Sequence, residues 1–184
     1  MNDGPKVSDV DMSEVATTDS DTAFFRLVTH WRFDAPVSLV WQILTAPEDW
    51  PSWWRAVVAV RTLDAGDRDG IGAYRQMTWR TALPYRLSFH MRTTQIVRHV
   101  LIEGRSEGQL AGIGRWRLAP TDTGTAVTYE WSVSVTKPWM RRAAPILRRL
   151  FAWNHGVVME WGRQGLARKL VASQASQAVT SNVA

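Results

Sequence analysis

The sequence predicts an α+β fold: a curved antiparallel sheet of about seven strands wrapped around a long C-terminal helix, with two short helices after the first strand. Three observations carry this prediction. Apolar residues recur at helical spacing in only two places, after Asp34 and again from Pro145. Between them lie about six strand-like runs, punctuated by turn clusters such as Asp64-Ala-Gly-Asp-Arg-Asp-Gly70 and Thr121-Asp-Thr-Gly124. A single long helix must bury its apolar stripe on that sheet, and a sheet curved around a helix encloses a cavity.

Each element has its own signal. Phe24 to Phe33 is rich in aromatic and β-branched residues and reads as a strand. Asp34 is an N-cap candidate with Pro36 in the first turn, after which Val37, Val40, Trp41 and Leu44 share a helical face. Pro47 opens a second short helix, bent at Pro51-Ser52 and followed by Trp53 and Trp54. Ala56 to Leu63 and Ile71 to Trp79 are strands, and Leu83-Pro84 ends the second. Tyr85 to Val97 is a long strand with Leu87, Phe89 and Met91 on one face and Arg86, Ser88, His90 and Arg92 on the other. Val100 to Gly104 and Leu110 to Leu118 follow, the latter with Trp116 and Leu118 on one face. Thr125 to Val135 alternates Val127, Tyr129 and Trp131 against Thr128, Glu130 and Ser132. In the long helix, Leu147, Leu150, Phe151, Asn154, Val158, Trp161 and Gly165 form one stripe. Gly162 and Gly165 would let it approach the sheet closely.

A chain of 184 residues suits one domain with a sizeable core. Residues 1–23 hold six acids against Lys6, a net −5, and few large apolar residues, so they are expected to be disordered. The whole chain is +5, which leaves +10 on the remainder. The folded body is about residues 24–171, and 172–184 are expected to form a flexible tail. No apolar run is long enough to span a bilayer and no secretory signal stands at the N-terminus, so the expected compartment is the cytoplasm. Cysteine is absent, which excludes disulfides and thiolate metal sites. No His/Asp/Glu cluster has metal-ligand spacing, no Gly-rich loop suits a phosphate, and no serine sits in a nucleophile elbow. Neither metal nor cofactor is expected. The arginines are scattered and no helix-turn-helix, zinc finger or basic arm is present, so no specific nucleic-acid partner is expected either.

Three segments, Phe33-Asp-Ala-Pro-Val-Ser-Leu-Val-Trp41, Pro47-Glu-Asp-Trp-Pro-Ser-Trp-Trp54 and Lys137-Pro-Trp-Met140 running on to Asn154-His155, carry a resemblance. In them the chain resembles the START-like (SRPBCC) superfamily, the Bet v 1-like helix-grip proteins, and within it the polyketide cyclase/dehydrase-like branch. The resemblance covers nearly all of residues 24–171 and implies a deep cavity between the concave sheet face and the long helix. It implies no catalytic set, because the superfamily spans lipid carriers, receptors, cyclases and oxygenase domains. The cysteine and histidine iron-binding motifs of the oxygenase relatives are absent here.

Residues expected near the cavity follow from position. Asn154 lies near the centre of the helical stripe and His155 at its edge. Each either binds a ligand carbonyl or hydroxyl or ties the helix to the sheet or to the Trp53–Trp54 segment. Trp53 and Trp54 are candidates for a lid, while Trp50 is assigned to packing. Phe89, Trp116, Tyr129, Trp131 and Val158 are expected to face the cavity, and Tyr74 and Tyr85 to border it near the Pro84 loop. Of the ionisable strand residues His90, Arg92, His99, Glu103 and Glu130, alternation puts His90, Arg92 and Glu130 outside and leaves Glu103 open. The favoured reading is a binding protein for a hydrophobic or aromatic molecule, lipid-, steroid- or polyketide-like. One alternative is an aromatase/cyclase-type enzyme, in which Tyr, Arg or His would polarise a carbonyl. Another is an interaction module whose basic residues 137–170, net +7, make weak contact with an anionic surface.

Overall fold

A computed structural model of the chain describes residues 10–11, 23–108, 111–135 and 144–181. The Lys137-Pro-Trp-Met140 segment, the bases Arg141 and Arg142, and most of the acidic segment lie outside these residues. The order is β1 (Val10–Asp11), β2 (Ala23–Phe33), α1 (Val37–Leu44), a 3-10 turn (Pro47–Asp49) and α2 (Trp50–Trp53). Then come β3 (Val57–Asp64), β4 (Tyr74–Arg80), β5 (Arg86–Val97), β6 (Leu101–Gly108), β7 (Ala111–Thr121), β8 (Gly124–Val135) and α3 (Ala144–Ser181). All strands join one antiparallel sheet in the order β1-β2-β8-β7-β6-β5-β4-β3, seven long strands plus the two-residue β1. The chain leaves β2, crosses by the two short helices to the far edge, and meanders back until β8 pairs with β2. This is the helix-grip arrangement expected from the sequence.

Four details differ from expectation. Pro36, not Asp34, holds the N-cap position of α1, with no side-chain cap, because Asp34 stands too early to reach the first free amides. Strand β4 starts at Tyr74, since Ile71–Ala73 belong to a turn in which Gly70 and Gly72 take positive φ. Val10–Asp11, within the segment expected to be disordered, pair with Val28 and Thr29. Helix α3 runs on to Ser181 through the expected flexible tail. Residues 166–181 contain neither Gly nor Pro, and Gln174 Nε2 donates to the carbonyl of Asp34 at 3.3 Å.

The core is built from tryptophan. Trp31, Trp50, Trp53, Trp54, Trp79 and Trp116 form one connected set of tilted, stacked and edge-to-face rings. Trp54 is its centre and is fully buried. Its Nε1 donates to the carbonyl of Val158 on α3 at 2.9 Å. Gly162 and Gly165 do permit close approach, but to the segment carrying these rings rather than to the sheet. A Cβ at Gly162 would run into the Trp54 indole, and one at Gly165 into the Trp53 carbonyl oxygen.

Because the obstacle at Gly165 is backbone, it cannot swing aside. Gly165→Ala is expected to destabilise by about 1–3 kcal/mol through overpacking. Ala167→Gly on the same helix should cost no more than about 1 kcal/mol. Urea titrations of the two variants would check the order, and equal losses would contradict the assigned contact.

Candidate ligand-binding cavity

Helix α3 packs on β2 and on the two short helices, and the Trp54 ring sits between it and the Trp79 and Trp116 rings of the sheet. The middle strands are therefore left uncovered, and the space beneath the helix is a cavity of about 1260 Å³. Its floor is the concave sheet face: Leu27 of β2, Tyr129 and Trp131 of β8, Trp116 of β7, Ile102 of β6, Leu87, Phe89 and Met91 of β5, and Met77 and Trp79 of β4. Phe151, Asn154, His155, Val158 and Met159 of α3 form the roof. Trp41, Trp50 and the loop around Arg68–Ile71 close one end, and Thr81 and Tyr85 border the other. Two glycines in register, Gly104 and Gly114, keep the floor deep. A Cβ at Gly114 would stand 2.9 Å from both the Tyr129 hydroxyl and the Trp131 ring, and one at Gly104 2.8 Å from Met91 Sδ.

The polar groups in this apolar space are few and adjacent. Tyr129 stacks on Trp116 with centroids 4.1 Å apart, and the His155 ring lies nearly parallel to it at 6.2 Å. Both are half-buried, and they line the cavity. Burial raises the Tyr129 phenol above its ordinary value and pushes the His155 imidazole down to about 4. His155 is thus neutral at physiological pH. Its Nε2 is 3.2 Å from Thr29 Oγ1. The Tyr129 hydroxyl has no hydrogen-bond partner among the described residues. Asn154 Oδ1 accepts from the Ala82 N–H at 2.9 Å and so ties α3 to the β4–β5 hairpin. The indole N–H groups of Trp50 and Trp79, both in the wall, also lack acceptors among the described residues.

Charged groups are mostly sorted to the outside. Glu130 pairs with Arg26 and Arg117 on the convex face. His90 stacks on Tyr74 there and Arg92 lies over the same ring. Glu103 borders the cavity, but its carboxylate receives hydrogen bonds from Thr94 at 2.8 Å and Arg115 at 2.5 Å. Burial pushes Glu103 up, yet these bonds and the Arg115 charge outweigh it and hold it below the ordinary carboxylate range. Others border the cavity: Arg68, Asp69, Arg80 and Arg98 line it, as does Arg75, with Nε 2.8 Å from Glu48 Oε1 and Nη1 3.4 Å from Thr93 Oγ1.

Of the expected site residues, Phe89, Trp116, Tyr129, Trp131, Asn154, His155, Val158, Tyr85 and the edge of Glu103 meet at the cavity. Three do not. Tyr74 is on the convex face, because Met77 and Trp79 point inward and alternation sends Tyr74 the other way. Trp53 and Trp54 are buried packing residues, while Trp50, expected to pack, is in the wall. Thr29, Trp41, Met77 and Trp79 were not anticipated. Parity along β2 and β4 would have found Thr29, Met77 and Trp79.

A family model described as polyketide cyclase / dehydrase and lipid transport matches residues 25–172. Solved structures share the fold at low identity. Protein TTHA0849 from Thermus thermophilus is 16% identical with a TM-score of 0.63, over 82% of this chain and 98% of that one. The di-domain ARO/CYC StfQ from the steffimycin biosynthetic pathway is 15% identical with a TM-score of 0.61, over 85% of this chain and 52% of that one. A Staphylococcus aureus protein of unknown function, SA2116, is 10% identical with a TM-score of 0.61, over 84% and 98%. No curated protein matches the chain by sequence.

The depressed His155 sets a pH dependence. The unfolded imidazole takes up a proton near 6.5 and the folded one only near 4, so the stability from neutral His155 is complete above 6.5 and lost as pH falls through that window. His155→Gln cannot titrate but keeps a group for Thr29. Its loss of stability between pH about 7 and about 5 should be smaller than that of the parent chain in paired urea titrations. Identical losses would show that His155 titrates normally.

Proposed function

The chain belongs to the polyketide cyclase / dehydrase and lipid transport family, and from that premise we propose that it binds a large, mostly apolar and uncharged small molecule, lipid-, steroid- or polyketide-like. The observation that carries this reading is the 1260 Å³ aromatic-walled cavity with one neutral polar cluster inside it. That volume exceeds the roughly 300–1,000 Å³ of ordinary drug-sized sites, which favours a fused-ring system or a long chain over a single small aromatic. Tyr129, His155 and Asn154 select a carbonyl or hydroxyl oxygen. A carboxylate beside them would be desolvated among neutral groups, which penalises an acidic group there. The free N–H groups of Trp50 and Trp79 add donors and no acceptor, in keeping with an oxygen-bearing ligand.

One observation favours an aromatase/cyclase-type enzyme as a second reading. A neutral imidazole and an unpartnered phenol face the same cavity. Tyr129 would donate to a carbonyl oxygen while neutral His155 takes a proton from the adjacent carbon. The two readings separate on a single comparison. Tyr129→Phe should weaken ketone-bearing ligands by about fivefold, the worth of one hydrogen bond, and leave hydrocarbons unaffected. An enzyme would lose turnover in Tyr129→Phe and His155→Gln while still binding.

Binding itself is tested with the neutral fluorophore Nile red. The parent chain should bind it saturably with a blue shift. Leu87→Trp, which adds bulk from the floor into open space, should weaken binding by at least about tenfold, or about 1.4 kcal/mol. Its melting temperature should move by only a few degrees. Unchanged affinity in that variant would place the probe elsewhere and sink the reading.

A further inference from the structure

The end of the cavity closed by Trp41 and the Arg68–Ile71 loop differs in charge from the middle. A Cβ at Gly70 would stand 3.6 Å from Ile96 Cδ1, so this loop lies against the last residues of β5. The Trp41 ring meets His99 edge-on at 5.8 Å, which brings α1 to the turn joining β5 to β6. Two arginines face this end. Arg75 shares the inward side of β4 with Met77 and Trp79, and its side chain is only 17% exposed. Glu48 holds its Nε and Thr93 its Nη1, which leaves the Nη2 edge of the fork without an acceptor among the described residues. Arg98 follows Ile96 in the turn and lines the same end. It forms no ion pair among the described residues. Arg68 and Asp69 also line this end, but they pair with each other in solvent at 3.6 Å. With Glu48 set against Arg75, Arg98 carries the surplus positive charge.

We propose that the ligand carries one terminal carboxylate on its uncharged apolar body, and that Arg98 and the free edge of Arg75 hold that carboxylate. The inference rests on the reading that the cavity holds an apolar molecule, and it adds that molecule's class and direction: an amphiphile lying along β5 with its anion at the Arg98 end. Leu87, Phe89, Met91, Thr93 and Ile96 line the cavity in succession, a shift in register after Thr93 keeping Ile96 inward. From Leu87 to Ile96 the strand rises about 30 Å, at about 3.3 Å per residue, which suits an extended chain. At the Tyr129–His155 level an anion would be stripped of water among neutral groups, whereas beside exposed Arg98 it stays partly hydrated. The planar fork of a guanidinium matches a carboxylate and gives it charge-assisted hydrogen bonds. The opposite end has no such pair. Arg80 lines it, but alternation from Trp79 and the register partner Arg86 set that side chain toward the convex face.

Displacement of Nile red from the full chain by dodecanoate and by dodecan-1-ol tests this, at pH about 8, where the carboxylate is ionised. The two probes share a chain and a terminal oxygen and differ in charge. Dodecanoate should bind at least about fivefold more tightly at low salt, and the preference should shrink as salt rises. Arg98→Gln should remove most of the preference. Arg86→Gln, which deletes a charge from the convex face, should keep it. No preference in the parent chain, with Nile red bound and displaced, overturns the anion site and leaves the cavity reading standing. A preference that survives Arg98→Gln and disappears in Arg80→Gln puts the anion at the hairpin end and overturns the assignment. If the parent chain binds no Nile red, the cavity reading falls and this proposal falls with it.

Discussion

One contact decides how the long helix sits. Trp54 is wedged between α3 and the sheet, bonded through its indole nitrogen to the Val158 carbonyl and pressed against Gly162, where no side chain intervenes. On its other sides it touches Trp31, Trp79 and Trp116. The ring is rigid and fully buried, so it acts as a spacer of fixed thickness. A smaller residue would let the helix settle toward the floor. A side chain at Gly162 or Gly165 would push it away. The cavity exists because helix and sheet are held at the separation that this ring and these two glycines set.

The interior chemistry follows from that separation. A helix packed directly on the sheet would need an unbroken apolar face. Held off it, α3 presents Asn154 and His155 to enclosed space, and the sheet answers with Thr29 and Tyr129, which are register partners on adjacent strands. Ionised groups would pay heavily for entering such a space. They are accordingly paired on the convex face, as in the Glu130 cluster, or at the cavity's edge and wall, as Glu103 with Arg115 and Arg75 with Glu48. The result is a largely apolar container in which Tyr129, His155 and Asn154 gather uncharged polar groups at one level.

How much of the site was legible depended on the length of the element carrying each residue. Along β5, β7 and β8 the period of two runs for a dozen residues or nearly so, and Phe89, Trp116, Tyr129 and Trp131 were placed on the inner face correctly. The same rule applied to β4 from Met77 and Trp79 would have sent Tyr74 outside. Tyr74 was instead expected beside the Pro84 loop, whereas it opens β4, just after a glycine turn, at the end of the strand away from that loop. In α2, four residues long, no period exists to tell Trp50 from Trp53, and the assignments came out reversed.

The sequence by itself determined the strand and helix order, the outward sorting of charge and the presence of an aromatic-lined cavity. These follow from local period, turn chemistry and the cost of burying charge, all of which act on neighbours in the chain. The tertiary structure alone decided that Trp54 is a spacer rather than a lid, that Gly162 and Gly165 serve that spacer rather than the sheet, and that His155 and Tyr129 face one another. Each of these joins residues at least twenty-six positions apart, on elements whose relative height is fixed only when the tryptophan cluster closes. Packing at that range depends on the shapes of several rings at once, and no local pattern records it.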